Sequence, residues 1–339
     1  MNILAIRFSA LGDVAMTIPA IYSVAKQYPE HTIKILTLQP FAQIFIDCPK
    51  NIILLTFNKQ EIHGAIGLLH LLKRVNHEDI DVVADLHNVL RSWLIDLFFM
   101  VKGFRVVMVD KNRWKRLKLL FQRKGQQTAF TESYFNVFRT LGLPIEESFL
   151  SVLSRDISIA YFSVILNNKG RKKVGIAPFA RYQNKTYPLK QMEQVVAKLS
   201  ASDKFVIFLF SGGKTESRLM QVWESKYEHV FSIAGRYNLA DEVRLMSFLD
   251  VMVSMDSANM HLASLVGTRV ISLWGSTTPL CGFMGWKQKE EDAIQLNTYC
   301  QPCTIAGSDH CNCGDFHCLS HIIPETIFTK IMSITSSKC

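Results

Sequence analysis

Val253-Ser254-Met255-Asp256-Ser257-Ala258-Asn259-Met260-His261-Leu262-Ala263, continued by Val270-Ile271-Ser272-Leu273-Trp274-Gly275-Ser276-Thr277-Thr278-Pro279, decides the fold of this chain. A short apolar run stops at Asp256, a helix-like segment follows, and a second β-branched run ends in a polar turn. That order is a strand, a crossover helix and a parallel strand. Ser257 or Asn259 begins the helix, and the free amides at such a start form an anion site that a pyrophosphate fits. His261 falls in the helix's first turns, where it serves either that site or, as a lone histidine more often does, a hydrogen-bonded core.

Outward from this unit the same alternation fills the chain. Strands are expected near 2–8, 32–38, 52–57, 81–85 and 105–109, then a helix over 132–141 closed by Gly142 and Pro144. A second series has strands at Val174–Ala177, Phe205–Phe210, 229–233, Asp250–Ser254 and Arg269–Trp274, with helices at 189–200, 215–226, 239–248 and 257–266. The polar residues 145–172 between the two series read as a linker. The 339 residues exceed the roughly 250 to 300 at which one hydrophobic core stops growing, so two domains follow, 1–160 and 161–339. The fold class is α/β, with two doubly wound sheets facing each other across a cleft and ligands at the carboxyl ends of the strands. A composition of 48% hydrophobic, 11% aromatic and 20% charged residues excludes a disordered or fibrous chain.

The turns after the strands hold the candidate chemistry. Arg7-Phe8-Ser9-Ala10-Leu11-Gly12-Asp13 leads into a helix from Val14 through Ala25. Asp13 is either an N-cap or a general base, since a carboxylate is ionised at neutral pH and accepts a hydroxyl proton. In Ala177-Pro178-Phe179-Ala180-Arg181-Tyr182-Gln183-Asn184-Lys185-Thr186-Tyr187-Pro188, two cations and the Thr186 hydroxyl form either a diphosphate clamp or a polar surface loop. Phe210-Ser211-Gly212-Gly213-Lys214-Thr215-Glu216 places a glycine pair between strand and helix. Glu216 there accepts ribose hydroxyls or simply complements the helix dipole.

Charge narrows the partners. The net charge is +9, and residues 102–124 gather nine Lys or Arg against Asp110 alone. This patch is either a solvated helix face or an attractor of polyanions such as nucleic acid, anionic lipid or a phosphorylated glycolipid. No basic region precedes the first apolar run, which Asp13 interrupts, so a signal peptide is not expected. The apolar stretch Leu94 to Val101 is far shorter than the ~20 residues of a membrane helix, and a cytoplasmic location follows. Seven of the eight cysteines lie after residue 280, and Cys300, Cys303, Cys311, Cys313 and Cys318 alternate with His310, His317 and His321. The cluster is either a structural zinc site or a set of reduced thiols pinning a loop.

Taken together, Ser9-Ala10-Leu11-Gly12-Asp13-Val14 with Pro19, Lys185-Thr186-Tyr187-Pro188, Gly212-Gly213 with Glu216, and Asp256 to His261 followed by Trp274-Gly275-Ser276-Thr277 resemble glycosyltransferase family 9. These are the ADP-heptose:lipopolysaccharide heptosyltransferases, and the resemblance covers nearly the whole chain. It implies the GT-B fold of two Rossmann-like domains, an N-terminal one for acceptor and a C-terminal one for nucleotide sugar. It implies inverting transfer of heptose from ADP-heptose to a lipopolysaccharide inner-core acceptor, at or near the cytoplasmic face of the inner membrane, without a cofactor in the chemistry. Asp13 is then the base. Lys185, Thr186, Glu216, Asp256, Ser257 and His261 bind the donor, with Lys185 on the diphosphate and Glu216 on the ribose. His87, Asn88, Arg91 and Arg113 are the acceptor candidates. The chain has Ala258 where the family usually has Gly, which puts the phosphate loop's geometry in question because alanine resists positive φ. The competing readings are an epimerase or a transferase using another nucleotide sugar, and a zinc-containing nucleic-acid-binding protein. The cysteine spacing fits no standard finger, so no nucleic-acid partner is expected.

Overall fold

The computed structural model describes residues 1–62, 64–122, 125–154, 162, 170–311 and 313–336. It divides into two compact units, Met1–Arg113 with Thr128–Ser154, and Trp114–Gln127 with Arg155–Cys339.

The first unit carries the parallel strands β1 (Asn2–Ile6), β2 (Thr32–Leu38), β3 (Ile52–Phe57), β4 (Val82–Asp85) and β5 (Arg105–Met108) in the order β3-β2-β1-β4-β5. Ile3 to Ile6 are fully buried, because a central parallel strand is covered on both faces and spells an unbroken apolar run. The described helices before the unit's last element are α1 (Leu11–Gln27), α2 (Gln39–Ala42), α3 (Gly64–Asn76) and α4 (Leu90–Val101). Helix α5 (Arg113–Gln122) falls almost wholly in the second unit, and α6 (Phe130–Thr140) returns to the first, where it packs on α1. The expected linker is only partly one. Ile145, Phe149 and Val152 are buried, and the Phe149 ring meets Tyr22 edge-on at 5.8 Å, so 145–154 belongs to the first core. Residues 155–161 and 163–169 lie outside the described residues.

The second unit holds β6 (Lys172–Ala177), β7 (Phe205–Leu209), β8 (Val230–Ser232), β9 (Val251–Met255), β10 (Val270–Leu273) and β11 (Ala293–Ile294), all parallel, in the order β11-β10-β9-β6-β7-β8. Its helices after α5 are α7 (Leu189–Ala201), α8 (Lys214–Lys226), α9 (Leu239–Met246), α10 (Ala258–Leu265), α11 (His317–Ser320) and α12 (Pro324–Ser336). Gly175 in β6 is required by packing, since a Cβ there would stand 2.5 Å from both Leu249 Cδ1 and Met252 Sδ. Helix α12 lays Ile327, Ile331 and Ile334 into the core beside α7. The strand and helix expectations hold to within about two residues except that α1 begins three residues early, while α2, α3, α4, β11, α11 and α12 are additions. The basic stretch is not uniformly solvated. Arg116 is buried, donating to the Cys281 carbonyl and resting over the Phe283 ring, whereas Arg123 and Lys124 lie outside the described residues.

Candidate active site

In the order β3-β2-β1-β4-β5 the chain leaves β1 toward one edge and later returns to its other side as β4. The crevice at the carboxyl ends of those two strands is the natural ligand position of such a sheet. Arg7 follows β1 and is 5% exposed. Its Nη1 donates to the Leu86 carbonyl at 2.7 Å, and its Nη2 stands 2.8 Å from Asp13 Oδ2. Asp13 is not the N-cap. Ala10 holds that position and Asp13 is the third helical residue, its Oδ2 also accepting the Ala10 N–H at 3.1 Å. The side chain remains 33% exposed, so a carboxylate oriented by two donors still meets solvent.

The turn after β4 is pinned by Asp85, which is fully buried. Its carboxylate accepts the His87 N–H at 2.7 Å, the Asn88 N–H at 2.9 Å and the Ser92 hydroxyl at 2.7 Å. Asn88 sits at φ +48°, a left-handed position that asparagine tolerates. Its amide nitrogen donates to the Val109 carbonyl at 2.7 Å, and its Oδ1 accepts from Trp93 Nε1 at 2.8 Å. Burial, followed by the charges of Arg7 and Lys111, pushes His87 down to about 3, so its imidazole is neutral. Burial, then Arg7 and Arg113, lowers Lys111 to about 8. Arg113 donates to the Asn88 carbonyl at 3.1 Å, and the charge of Arg91, exposed on the first turn of α4, also lowers His87. Asp13, His87, Asn88 and Arg113 therefore share one electrostatic neighbourhood with Arg7 and Lys111, and Arg91 stands at its rim. Behind them, burial and the adjacent Asp85 carboxylate raise Asp96 to about 9, leaving it protonated.

In the second sheet the corresponding reversal lies between β6 and β9. Lys185, after β6, places Nζ 2.7 Å from Asp256 Oδ2, after β9, with the two side chains 13% and 4% exposed. Thr277, after β10, donates its hydroxyl to the same oxygen at 2.6 Å. Asn184 links the loops further, its carbonyl accepting the Ser276 N–H at 3.0 Å. The Thr186 hydroxyl is engaged within its own loop, donating to the Tyr182 carbonyl at 3.0 Å and accepting the Ala180 N–H at 3.3 Å. Ser257 is the N-cap of α10, with Oγ 3.3 Å from Ser254 Oγ, and His261 is buried one turn on. Ala258 is the first residue of that helix and is not among the positive-φ residues, so the absent glycine costs no strain here. Glu216 accepts the Gly212 N–H at 2.8 Å and so closes the glycine turn. Beside that turn lies a cavity of about 520 Å³ lined by Gly212, Gly213, Lys214, Arg218, Arg236 and Glu242, among others. Burial raises the Glu242 carboxyl to about 7.

The cysteine region resolves into a smaller set than the five expected. The ligand atoms of Cys300, Cys313 and His317 lie within 4.8 Å of one another, whereas Cys303, Cys311 and Cys318 fall outside that group. The seven described cysteines are free thiols.

A family model described as glycosyltransferase family 9 (heptosyltransferase) matches residues 68–311, taking in the β4 turn and the loops after β6, β7 and β9. The chain belongs to glycosyltransferase family 9. It is a glycosyltransferase. It is similar to lipooligosaccharide heptosyltransferase 2 of Campylobacter jejuni, with 21% identity over 96% of each chain. The solved family 9 glycosyltransferase of Veillonella parvula superposes with a TM-score of 0.77 at 18% identity, covering 99% of this chain and 98% of that one. The ADP-heptose lipopolysaccharide heptosyltransferase II of E. coli does so with a TM-score of 0.67 at 17% identity, covering 100% and 99%. The fold of this family 9 enzyme is therefore the GT-B type, with two Rossmann-like units. Arg7 and Asp13 precede the segment that the family model matches. Sequence reasoning did not assign Arg7, Lys111, Thr277, Arg218, Arg236 or Glu242. A charged residue ending the otherwise apolar run Ile3-Leu4-Ala5-Ile6 was the available signal for Arg7.

Proposed function

We propose that this enzyme transfers heptose from ADP-heptose to a lipopolysaccharide inner-core acceptor with inversion. The observation that carries the reading is the solvent-accessible Asp13 carboxylate, held by Arg7 and the Ala10 amide at the β1 end. The acceptor O–H gives its proton to Asp13, the oxygen bonds to the anomeric carbon, and the bond from that carbon to the diphosphate oxygen breaks with its electrons leaving on ADP. A base so placed contributes ~10² to 10⁴ in rate. Lys185 exchanges part of its contact with Asp256 for the departing diphosphate, and Thr186 and Ser257 shape the loops that present it. The free amides at the start of α10, near His261, take a phosphate oxygen, and Asp256 meets the donor sugar. Glu216 holds the ribose beside the cavity of Arg218 and Arg236. In this reading the first unit serves the acceptor and the second the donor. His87, Asn88, Arg91 and Arg113, joined by Lys111, suit an anionic core sugar.

The substrate names come from the relatives, and this chain's charge agrees with them. Among the described residues no helix is long and apolar enough to cross a membrane. Helix α4 instead exposes Leu90, Trp93, Leu94, Leu97 and Val101 beside the cations Arg91 and Lys102, a surface suited to lying on an anionic bilayer. A cytoplasmic, peripheral position at the inner membrane accommodates that surface. In this reading no cofactor takes part in the chemistry, and the Cys and His cluster is a structural metal centre. The test is incubation with ADP-heptose and defined lipopolysaccharide cores, followed by mass spectrometry. One added heptose supports the proposal; turnover only with a UDP or GDP sugar, or none with any core, sinks it.

A further inference from the structure

The Cys300, Cys313 and His317 cluster has the internal support of a built metal site. Cys300 Sγ is 3.7 Å from His317 Nε2. Asp315 Oδ1 lies 2.8 Å from His317 Nδ1, so the carboxylate fixes the tautomer that turns the Nε2 lone pair toward the sulfurs, as second-shell carboxylates of metal-bound histidines do. The Tyr299 ring stacks on His317 at 5.9 Å, and its hydroxyl reaches Cys313 Sγ at 3.4 Å. Cys303 follows Cys300 by the two-residue spacing of many zinc-binding cysteine pairs, but its Sγ lies outside this group.

Between Cys300 and Cys313 the chain runs as a strap across the donor loops. The Cys303 and Thr304 amides donate to the Ser276 carbonyl at 2.9 and 3.3 Å, beside Thr277. The Gln301 side chain donates to the Gly275 carbonyl. Ser308 N–H donates to Asn184 Oδ1 at 2.9 Å, and Asn184 Nδ2 returns to Ser308 Oγ at 2.9 Å, beside Lys185. Gly307, at φ +102°, lets the strap pass so close that a Cβ would stand 2.6 Å from Lys185 Cδ. Both loops that converge on Asp256 are thus tethered to one irregular segment with a thiol or imidazole cluster at its ends.

We propose that Cys300, Cys313 and His317 bind one divalent cation, zinc or ferrous iron, and that this ion holds the 301–310 strap that positions Lys185 and Thr277 for the donor diphosphate. The proposal rests on the donor reading above only for its last clause. Elemental mass spectrometry of full-length protein expressed with added zinc and iron tests the site, with about one metal per chain expected for three protein ligands and a water. Asp315→Asn should weaken metal affinity by about 10- to 100-fold, and His317→Ala should remove stoichiometric metal. Cobalt(II) in the emptied site should show tetrahedral thiolate absorption. Hydrogen exchange then reads the strap without any donor: chelated protein should exchange the amides of 303, 304 and 308 faster and regain protection on adding zinc, while β6 to β10 stay protected. ADP titration by calorimetry should show about a tenfold weaker affinity in the chelated protein, about 1.4 kcal/mol. Metal-free protein from supplemented cells, or equal strap exchange with and without metal, overturns the proposal. Equal ADP affinity in both forms overturns the coupling to the donor. ADP binding absent from metal-loaded protein counts instead against the donor reading.

Discussion

Lys185→Ala tests the second unit's centre most severely. Lys185 Nζ and Asp256 Oδ2 are 2.7 Å apart, and the Asp256 side chain is only 4% exposed. Removing the ammonium leaves a buried carboxylate whose remaining side-chain donor is the Thr277 hydroxyl. Breaking one partner out of a buried pair costs about 3 to 5 kcal/mol, and the surviving hydroxyl puts this case near about 3. Asp256→Asn should cost less, because Lys185, 13% exposed, can turn its ammonium to water. The double variant Lys185→Ala with Asp256→Asn should be more stable than the sum of the single effects allows, by about 0.5 to 3 kcal/mol. Urea unfolding followed by tryptophan fluorescence measures this unit, since Trp223 and Trp274 are buried within it. The same Lys185→Ala protein should bind ADP roughly ten- to a hundredfold more weakly, the loss of a charge-assisted hydrogen bond. Stability within about 0.5 kcal/mol of the parent, the range of ordinary surface changes, refutes the buried-pair argument.

Two further outcomes follow from displaced titrations. Asp96 sits near 9 in the fold against an ordinary 3.8, so the unfolded chain ionises first, and stability is lost as pH rises between those values. The slope is at most about 1.4 kcal/mol per pH unit. Asp96→Asn should flatten the dependence of the urea midpoint on pH, and parallel profiles for variant and parent contradict this. Glu242, raised to about 7, carries its charge into the cavity only above that pH. ADP affinity should rise as pH falls through about 7, and Glu242→Gln should hold the higher affinity throughout; a parent affinity indifferent to pH speaks against it.

The strands were legible because each central one is buried on both faces and therefore written in apolar residues, Ile3 to Ile6 and Val251 to Val253 alike. The turns were legible because polar residues interrupt those runs at the carboxyl ends. Helix α12 was not anticipated although its signal was present: Pro324 opens it, and Ile327, Ile331 and Ile334 recur at helical spacing. The partnerships within the site were less accessible. Lys185 and Asp256 meet because β6 and β9 are neighbours in the sheet, and Arg7 meets Asp13 because β1 ends in the crevice beside β4. Spacing along the chain does not encode strand order. Lys111 looked like one cation among nine until its burial beside Arg7 distinguished it. From spacing alone Asp13 reads as an N-cap or a base, and only the backbone geometry at Ala10 puts it three residues past the cap, still in the helix's first turn. The concern over Ala258 came from expecting a glycine conformation that this helix start does not use.

Asp13→Asn reaches the central claim most directly, because it keeps the side chain's shape and an acceptor for the Ala10 amide while removing the base. Single-turnover transfer of heptose should fall by about 10² to 10⁴ while calorimetric ADP affinity stays at the parent value. Transfer at the parent rate, or ADP affinity lost together with transfer, contradicts the role assigned to this carboxylate.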